Sequence, residues 1–450
     1  MVGWPSGHFV LGSGMAGMSI AQKAADKGLQ VAVTDELPYG GTCALRGCDP
    51  KKVLIGPTEV YYHADHLLGK GINDVPEINW EDVMEFKQKF VDEMPPKIEA
   101  GYENKGIAMY HENARFLSED TLQVGQEKIK ADKIAIATGA KPRELDFPGA
   151  EYAQTSTDFL NMKEMPESLL FIGGGYIAFE FAHIAARCGA EVTIVHRSQA
   201  PLKNFEQDIV DHLVKATEEL GINLVLETEV CGVEKLEQGY QVKGETNGEF
   251  EFFKAEMVIN SAGRPPKIFD LDLEKANISY TKKGIEVNEY LQSTTNPRVY
   301  AAGDAADSPG LPLTPVGVLE GYTAASNIIK VEQKIVEYPP MPTVVFTLPT
   351  MASVGLTEAA AKAGGYNYRV NYKEAENWFN ARRLQVPEYA FKTIIDKETE
   401  TVLGAHLIGP NAEETINLFA MFIKTEIPVT EIKKMIFSYP TLASDISYML

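Results

Sequence analysis

Twice in this chain a short apolar strand runs into a glycine-rich turn, a helix and a second strand, and that repeat constrains the fold more than any other feature. The first copy reads His8 to Leu11 as strand and Gly12-Ser13-Gly14-Met15-Ala16-Gly17 as turn. Met18 to Lys27 follows as an alanine-rich helix, and Val31 to Asp35 as the next strand. Glycines at these places let backbone amides approach a pyrophosphate at a helix N-terminus. Asp35, 23 residues past Gly12, can accept from ribose hydroxyls. The second copy reads Leu169 to Ile172 as strand and Gly173-Gly174-Gly175-Tyr176-Ile177-Ala178 as turn, with a helix over Phe179 to Cys188 and a strand over Val192 to Val195. Such a turn is a weak signal alone and a specific one between strand and helix. Two nucleotide folds imply two nucleotides, with electrons passing between them.

Between the copies lies Gly40-Gly41-Thr42-Cys43-Ala44-Leu45-Arg46-Gly47-Cys48-Asp49-Pro50-Lys51-Lys52, which holds two of the chain's 4 cysteines. The pair sits at the opening of a helical pattern running from about Pro50 to Leu68. One helical turn brings such thiols within disulfide reach, and a helix N-terminus favours the thiolate that redox exchange requires. A stapling disulfide and half of a metal site are the alternatives. A lone cysteine pair without neighbouring histidine is a poor zinc site, so no metal is expected.

Composition narrows the partners. With 450 residues, 44% hydrophobic and 23% charged, the chain is a soluble globular protein of several domains. A net charge of −21 argues against nucleic acid and anionic membranes. No run approaches the length of a membrane span, and Met1 to His8 lacks the basic start of a signal peptide. Few cysteines fit a reducing cytoplasm. Any phosphate-bearing ligand therefore depends on local basic groups and backbone amides. The second copy's closing strand ends in His196-Arg197, with Lys203 beyond and no acid, which suits the 2′-phosphate of NADPH over the free ribose of NADH. A solvated surface Arg and Lys is the bland alternative.

Further elements complete the pattern. Glu81 to Tyr102 reads as one long amphipathic helix, Lys133 to Ala140 as a buried strand, and Val258 to Pro265 as an exit strand carrying Arg264. Asn296 to Asp304 is an apolar strand ending in Gly-Asp, where Asp304 either faces a cofactor or caps a helix. Pro339 to Leu450 mixes strands (Thr343 to Phe346, Phe391 to Ile395, Val402 to Ile408) with helices at Thr415 to Lys424 and Thr430 to Met435, an α+β arrangement.

Together these segments resemble the flavoprotein disulfide reductases with two dinucleotide-binding domains: glutathione reductase, dihydrolipoyl dehydrogenase and mercuric reductase. The cysteine motif is most similar to the glutathione reductase form. The resemblance implies an α/β fold of two Rossmann-like domains plus a C-terminal α+β dimerisation domain. Its divisions would be residues 1–148 for FAD, 149–265 for NAD(P)H, 266–337 for a return to the FAD domain, and 338–450 for the dimer interface. It implies that Gly12, Gly14, Gly17 and Asp35 hold the adenosine half of FAD. Thr42 and Ala137-Thr138-Gly139 would line that site, Asp304 would hold the ribityl chain, and Thr314 would start a helix over the pyrimidine end. Cys43 would be the interchange thiol and Cys48 the charge-transfer thiol. Lys51 and Glu180 match the ion pair beside flavin N5. Gly173, Gly175 and Ala178 match the NADPH turn, with Arg197, Lys203 and Arg264 as candidate 2′-phosphate or nicotinamide-side contacts. Pro342 to Phe346 and Val354 to Glu358 match the dimerisation domain, and a homodimer with a shared active site follows.

Two departures concern the acceptor. The family's closing His-Pro-Thr-x-x-Glu is Tyr439-Pro440-Thr441-Leu442-Ala443-Ser444 here, followed by Asp445. Tyr439 replaces the acid–base histidine, and Ser444 replaces the glutamate. Asp445 lies about 100° around a helix from Ser444. A phenol titrates near 10 against about 6.5 for imidazole, so it can donate a proton but is a poor base at neutral pH. Loss of a good base costs roughly 10²–10⁴-fold. Glutathione reductases also place arginines where this chain has Gln22, Lys23 and Tyr322. With only Lys23 cationic at those places, glutathione disulfide is disfavoured, and the resulting expectation is an NADPH-dependent FAD disulfide reductase acting through Cys43 on an unidentified low-molecular-weight disulfide. The alternatives are a reductase of quinones, metal ions or oxygen, and a protein that keeps the fold without turnover.

Overall fold

The computed structural model describes residues 7–329 and 333–450, so Met1 to Ser6 of the segment read as no leader lie outside the described residues. It divides into two compact units, Met1–Lys51 with Glu85–Arg143 and Arg264–Tyr338, and Lys52–Met84 with Glu144–Gly263 and Pro339–Leu450.

The first unit is built on a five-stranded parallel sheet in the order Val299–Ala301, Lys133–Ile136, His8–Leu11, Val31–Thr34, Ala108–Tyr110. His8–Leu11 is central, with His8 opposite Val31 on one side and Lys133 on the other. Its Phe9, Val10 and Leu11 are buried, as a parallel strand covered on both faces requires. Helices Met15–Ala25 and Thr314–Ile329 pack against each other within this unit. A meander of Ala114–Ser118, Thr121–Val124 and Glu127–Lys130 adds a small antiparallel sheet.

The second unit repeats the parallel plan with Asn223–Val225, Glu191–Val195, Ser168–Ile172, Met257–Asn260 and Gln154–Thr155. It adds an antiparallel meander over Glu229–Lys235, Tyr240–Thr246 and Glu249–Ala255. Its C-terminal sheet runs Thr343–Val345, Thr350–Gly355, Val402–Gly409, Ala390–Asp396, Tyr368–Glu374, all antiparallel. Helices Ala412–Thr425 and Gln207–Glu219 both pack on this sheet. Lys392 rises from it with a side chain 5% exposed, and its ammonium meets Glu206 at 2.9 Å, Asp208 at 2.5 Å and Glu358 at 2.6 Å. Burial disfavours that charge, but the three carboxylates outweigh it and hold the lysine protonated. These acids lie close enough together to share a cation, and the ammonium already sits among them.

Several expected elements differ. The single helix over Glu81 to Tyr102 is two, Trp80–Asp92 and Met94–Asn104, because Pro95 and Pro96 lack the N–H groups that would continue the ladder. The strand from Lys133 ends at Ile136, which leaves Ala137 to Gly139 outside the sheet. The helix over Thr430 to Met435 is one turn, Val429–Ile432.

Candidate active site

Gly47 breaks the helix expected around the cysteines. Cys43 lies on the short helix Gly41–Arg46, and Cys48 opens the helix Cys48–His66. The two sulfurs are hydrogen-bonded to each other. Cys48 Sγ also stands 3.7 Å from Thr314 Oγ1, and Cys43 Sγ stands 3.9 Å from Asp49 Oδ1. The bond to Cys48 and burial push the Cys43 thiol up. That same bond, helped by Thr314 and the Lys51 ammonium, draws Cys48 down to about 6 against the effect of burial. The pair is thus polarised, with a thiol at Cys43 and a thiolate at Cys48. Partial burial raises the Asp49 carboxyl, with the Cys43 contact acting the other way.

The first glycine turn borders a cavity of about 450 Å³ lined by Gly12, Asp35, Glu36, Thr138 and Lys267 among others. Gly12 has φ +101°, and a Cβ there would lie 2.2 Å from the Ala137 carbonyl oxygen, so no other residue fits. Gly14 caps the helix that Gly17 enters. Asp35 Oδ2 accepts from Ser13 N–H at 2.9 Å and from Ser13 Oγ at 2.7 Å. Glu36 is ion-paired with Lys267; burial would raise its carboxyl, but the ammonium wins and lowers it. Thr138 Oγ1 is buried without a partner, an orphan of the kind a ligand satisfies. Burial pushes the Asp304 carboxyl up, while Arg264 opposes it. Arg264 Nη2 itself donates to the Ala140 carbonyl at 2.7 Å. Thr42 is exposed on the cysteine helix, and Gly139, φ +68°, follows Thr138. Cavity, glycine turn and orphaned hydroxyl together fit a dinucleotide such as FAD.

The second turn is braced differently. Gly173 has φ +106°, and its Cβ would crowd the Ser261 carbonyl at 2.8 Å; Gly175 caps the helix Tyr176–Arg187, in which Ala178 and Glu180 are buried. Glu180 Oε1 accepts from Phe346 N–H at 2.9 Å. The middle glycine is pinned at both ends by the segment that follows the next strand. Gly174 N–H donates to His196 Nδ1 at 3.0 Å, and the Gly174 carbonyl accepts from Leu202 N–H at 3.0 Å. Arg197 and Lys203 stand exposed on that same segment. His196 Nε2 meets Ser198 Oγ at 2.8 Å. Burial lowers this imidazole, as do Arg197 and Lys203, so it is neutral and accepts at Nδ1.

At the C-terminus Tyr439 is 79% exposed and follows a fully exposed Ile436. Ser444 does not reach toward Tyr439. Its hydroxyl donates to the Thr441 carbonyl at 2.5 Å inside a capping box. The Asp445 carboxylate is taken by Asn380 Nδ2 at 3.1 Å and Tyr389 OH at 3.0 Å. Lys23 donates to the Tyr322 carbonyl at 2.8 Å and to Ser326 Oγ at 2.6 Å.

Residues 7–323 match the family described as pyridine nucleotide-disulphide oxidoreductase, and residues 341–450 match its dimerisation domain. The chain belongs to this family, in its class I. Among its relatives is a glutathione reductase of Nostoc sp., 32% identical over 434 residues that cover 92% of this chain and 93% of that protein. A mercuric reductase of Bacillus cereus is 32% identical over 441 residues, 97% of this chain and 69% of that protein. The Cu(II) complex of the HOCl-induced flavoprotein disulfide reductase RclA from Escherichia coli superposes with a TM-score of 0.86 at 25% identity, over 99% of this chain and 98% of that one. Like its family, the chain is an FAD-dependent oxidoreductase that uses a pyridine nucleotide and acts on a sulfur group. No helix among the described residues is long and apolar enough to cross a membrane.

Sequence reasoning missed four contributors. Ser13 and His196 brace the two turns, Glu36 pairs with Lys267 at the cavity, and Asp49 contacts Cys43. Of these, Asp49 carried a signal, being an acid adjacent to a redox cysteine in a helix's first turn.

Proposed function

We propose that this protein is a cytoplasmic, NADPH-dependent, FAD-containing reductase of a low-molecular-weight disulfide, working as a homodimer. The observation that carries this reading is the cysteine pair itself, Cys43 and Cys48 on consecutive helices with their sulfurs hydrogen-bonded to each other and Cys48 Sγ 3.7 Å from Thr314 Oγ1. Residues 1–148 and 266–337 are assigned to FAD, 149–265 to NADPH and 338–450 to the subunit interface. Gly12, Gly14, Gly17, Asp35, Thr42, Thr138, Gly139, Asp304 and Thr314 would hold FAD, which supplies hydride acceptance from the nicotinamide and electron delivery to the dithiol. Gly173, Gly175, Ala178, Arg197, Lys203 and Arg264 are assigned to NADPH. Lys51 and Glu180 are each assigned, by the family resemblance, to the nicotinamide end, where charge changes during hydride transfer.

In the oxidative half-reaction Cys43 sulfur attacks one sulfur of the acceptor. This forms a mixed disulfide and releases the first thiol. Cys48 thiolate then attacks Cys43 sulfur, releases the second thiol and restores the Cys43–Cys48 disulfide. Tyr439 of the partner subunit is assigned as a proton donor, serving the second departing thiolate. Glutathione disulfide is disfavoured because the ammonium of Lys23 is engaged by its own surroundings.

A second reading has support of its own. Tyr439 is a poor base, and the similar E. coli reductase was solved with Cu(II), so a metal ion is the competing acceptor. Anaerobic titration with NADPH tests the first reading. It must give a long-wavelength band after two electrons, and flavin bleaching without that band refutes it. Turnover of Cu(II) that survives Cys43→Ser, with no disulfide reduced by the unaltered enzyme, would establish the second.

A further inference from the structure

We propose that Asp49 is a catalytic residue whose carboxylate takes the Cys43 proton during attack on the acceptor and returns it to the departing thiolate. The inference rests on the disulfide reductase reading and supplies the base that Tyr439 cannot be.

Three observations lead here. Asp49 Oδ1 accepts a long hydrogen bond from Cys43 Sγ at 3.9 Å, the kind of contact that tightens to proton-transfer distance when an acceptor is bound. Asp49 is exposed, so a proton it takes also exchanges with water. Cys43 is the sulfur that keeps its proton, because its partner Cys48 is already the thiolate. A protonated nucleophile needs a base at hand. Of the charged and titratable groups, Cys43 from the preceding helix hydrogen-bonds this carboxylate and Cys48 from its own helix feels its charge, while the Lys51 ammonium and the Thr314 hydroxyl act on Cys48.

The step balances. Cys43–SH, Asp49–COO⁻ and R–S–S–R give Cys43–S–S–R, Asp49–COOH and RS⁻. The carboxylic acid then protonates RS⁻ to RSH and returns to carboxylate. Electrons come from the dithiol that NADPH has reduced, and Cys48 closes the cycle as above.

The competing role for Asp49 is structural, a negative charge in a helix's first turn. The two roles differ in sign. A carboxylate beside Cys43 holds its proton on, so removing the charge makes more thiolate. The proposal therefore has Asp49→Asn alkylate faster at Cys43 yet turn over more slowly, whereas loss of structure slows both.

The test uses the full-length, FAD-loaded enzyme with Asp49→Asn and Asp49→Glu. With cystamine, whose aliphatic thiolate is a poor leaving group, kcat/KM for Asp49→Asn falls by about 10²-fold. With dithiobis-nitrobenzoate, whose leaving thiolate needs no proton, the loss is several times smaller. Iodoacetamide modification of Cys43 in the dithiothreitol-reduced protein, read by peptide mapping at neutral pH, becomes faster. NADPH still carries Asp49→Asn to the two-electron-reduced form under anaerobic conditions, and Asp49→Glu recovers part of the cystamine rate. Cystamine turnover of Asp49→Asn within twofold of the unaltered enzyme overturns the proposal, and so does slower alkylation. If Asp49→Asn does not hold FAD, Tyr439→Phe decides. The acid limb of its cystamine pH profile survives if Asp49 is the base, and its loss overturns the proposal. If the unaltered enzyme reduces neither disulfide, it is the parent reading that fails, and the alkylation comparison alone then decides on Asp49.

Discussion

If the second turn takes NADPH as proposed, replacing His196 with aspartate should move the preference toward NADH, and the chain supplies its own control. In the first turn Asp35 Oδ2 accepts the Ser13 N–H; in the second, His196 Nδ1 accepts the Gly174 N–H. Both acceptors lie 23 residues past the first glycine of their turn. A carboxylate at position 196 can therefore keep the brace, but it brings a negative charge to the ribose end of the nucleotide. Two unit charges about 5 Å apart at an effective dielectric constant of about 20 interact by about 3 kcal/mol. Solvent at this half-exposed site reduces that to about 1.5 kcal/mol per charge. A 2′-phosphate carrying about two charges then loses about 3 kcal/mol, roughly 150-fold in kcat/KM. NADH gains a charged acceptor for its 2′-hydroxyl, about 1.5 kcal/mol or roughly tenfold. The ratio of NADPH to NADH efficiency should fall about 10³-fold in steady-state assays with either cofactor. A change below tenfold, or an equal loss with both cofactors, would refute the reasoning.

Three further outcomes follow from the structure. Lys392→Met strands Glu206, Asp208 and Glu358 without their cation and should cost about 3 kcal/mol, the low end for a buried network because two of the acids are partly solvated; a thermal melt lowered by less than about 2 °C would contradict this. Thr138→Val removes the orphaned hydroxyl and should weaken FAD binding about tenfold without changing the fold of the apoprotein, measured by flavin fluorescence on dilution. In the reduced protein, ultraviolet thiolate absorbance from Cys48 should persist as pH falls until about 6 and vanish below it, because the group titrates from charged to neutral there. Thr314→Val should move that midpoint up, and a midpoint near the free-cysteine value of about 8.5 in the unaltered protein would defeat the account.

Both glycine turns were legible because their constraint is local. A φ near +100° and a carbonyl oxygen pressed against the absent Cβ of Gly12 allow one residue, and the flanking periodicity marks strand and helix. The helix break at Pro95-Pro96 was local too and was overridden by an amphipathic pattern that continues across it. The missed strands Thr350–Gly355 and Tyr368–Glu374 are different. Thr350–Gly355 lies inside the C-terminal sheet, so Thr350 to Val354 are all buried and do not alternate. Tyr368–Glu374 is an edge strand with a mixed polar surface, whose identity comes from pairing with Ala390–Asp396. In the site, residue types announced the thiols and the turns, but partners did not. His196 to Gly174 and Asp445 to Asn380 and Tyr389 join residues far apart in sequence, and nothing in the local pattern names the partner.

Charge at Cys43 also bears on which acceptor this enzyme prefers. The chain carries −21 overall, Asp49 stands beside the attacking sulfur, and the Lys23 ammonium is held by Tyr322 and Ser326. An anionic disulfide approaches against the protein's field and meets a carboxylate at the reacting sulfur, whereas a cationic disulfide is drawn in by both. Two dialkyl disulfides of opposite charge, such as cystamine and dithiodiglycolate, should differ in kcat/KM in favour of the cation by more than they differ in rate toward free dithiothreitol, which reports their unequal leaving groups. The gap should narrow as salt screens it, since charges separated by more than about 8 Å are largely screened at physiological ionic strength. Asp49→Asn removes one charge at the sulfur and should reduce the discrimination. It leaves the part that comes from the surface as a whole, so the residual preference should be the more salt-sensitive of the two. An anionic disulfide reduced as fast as the cationic one at low salt would show that a cation elsewhere in the assembled site governs recognition.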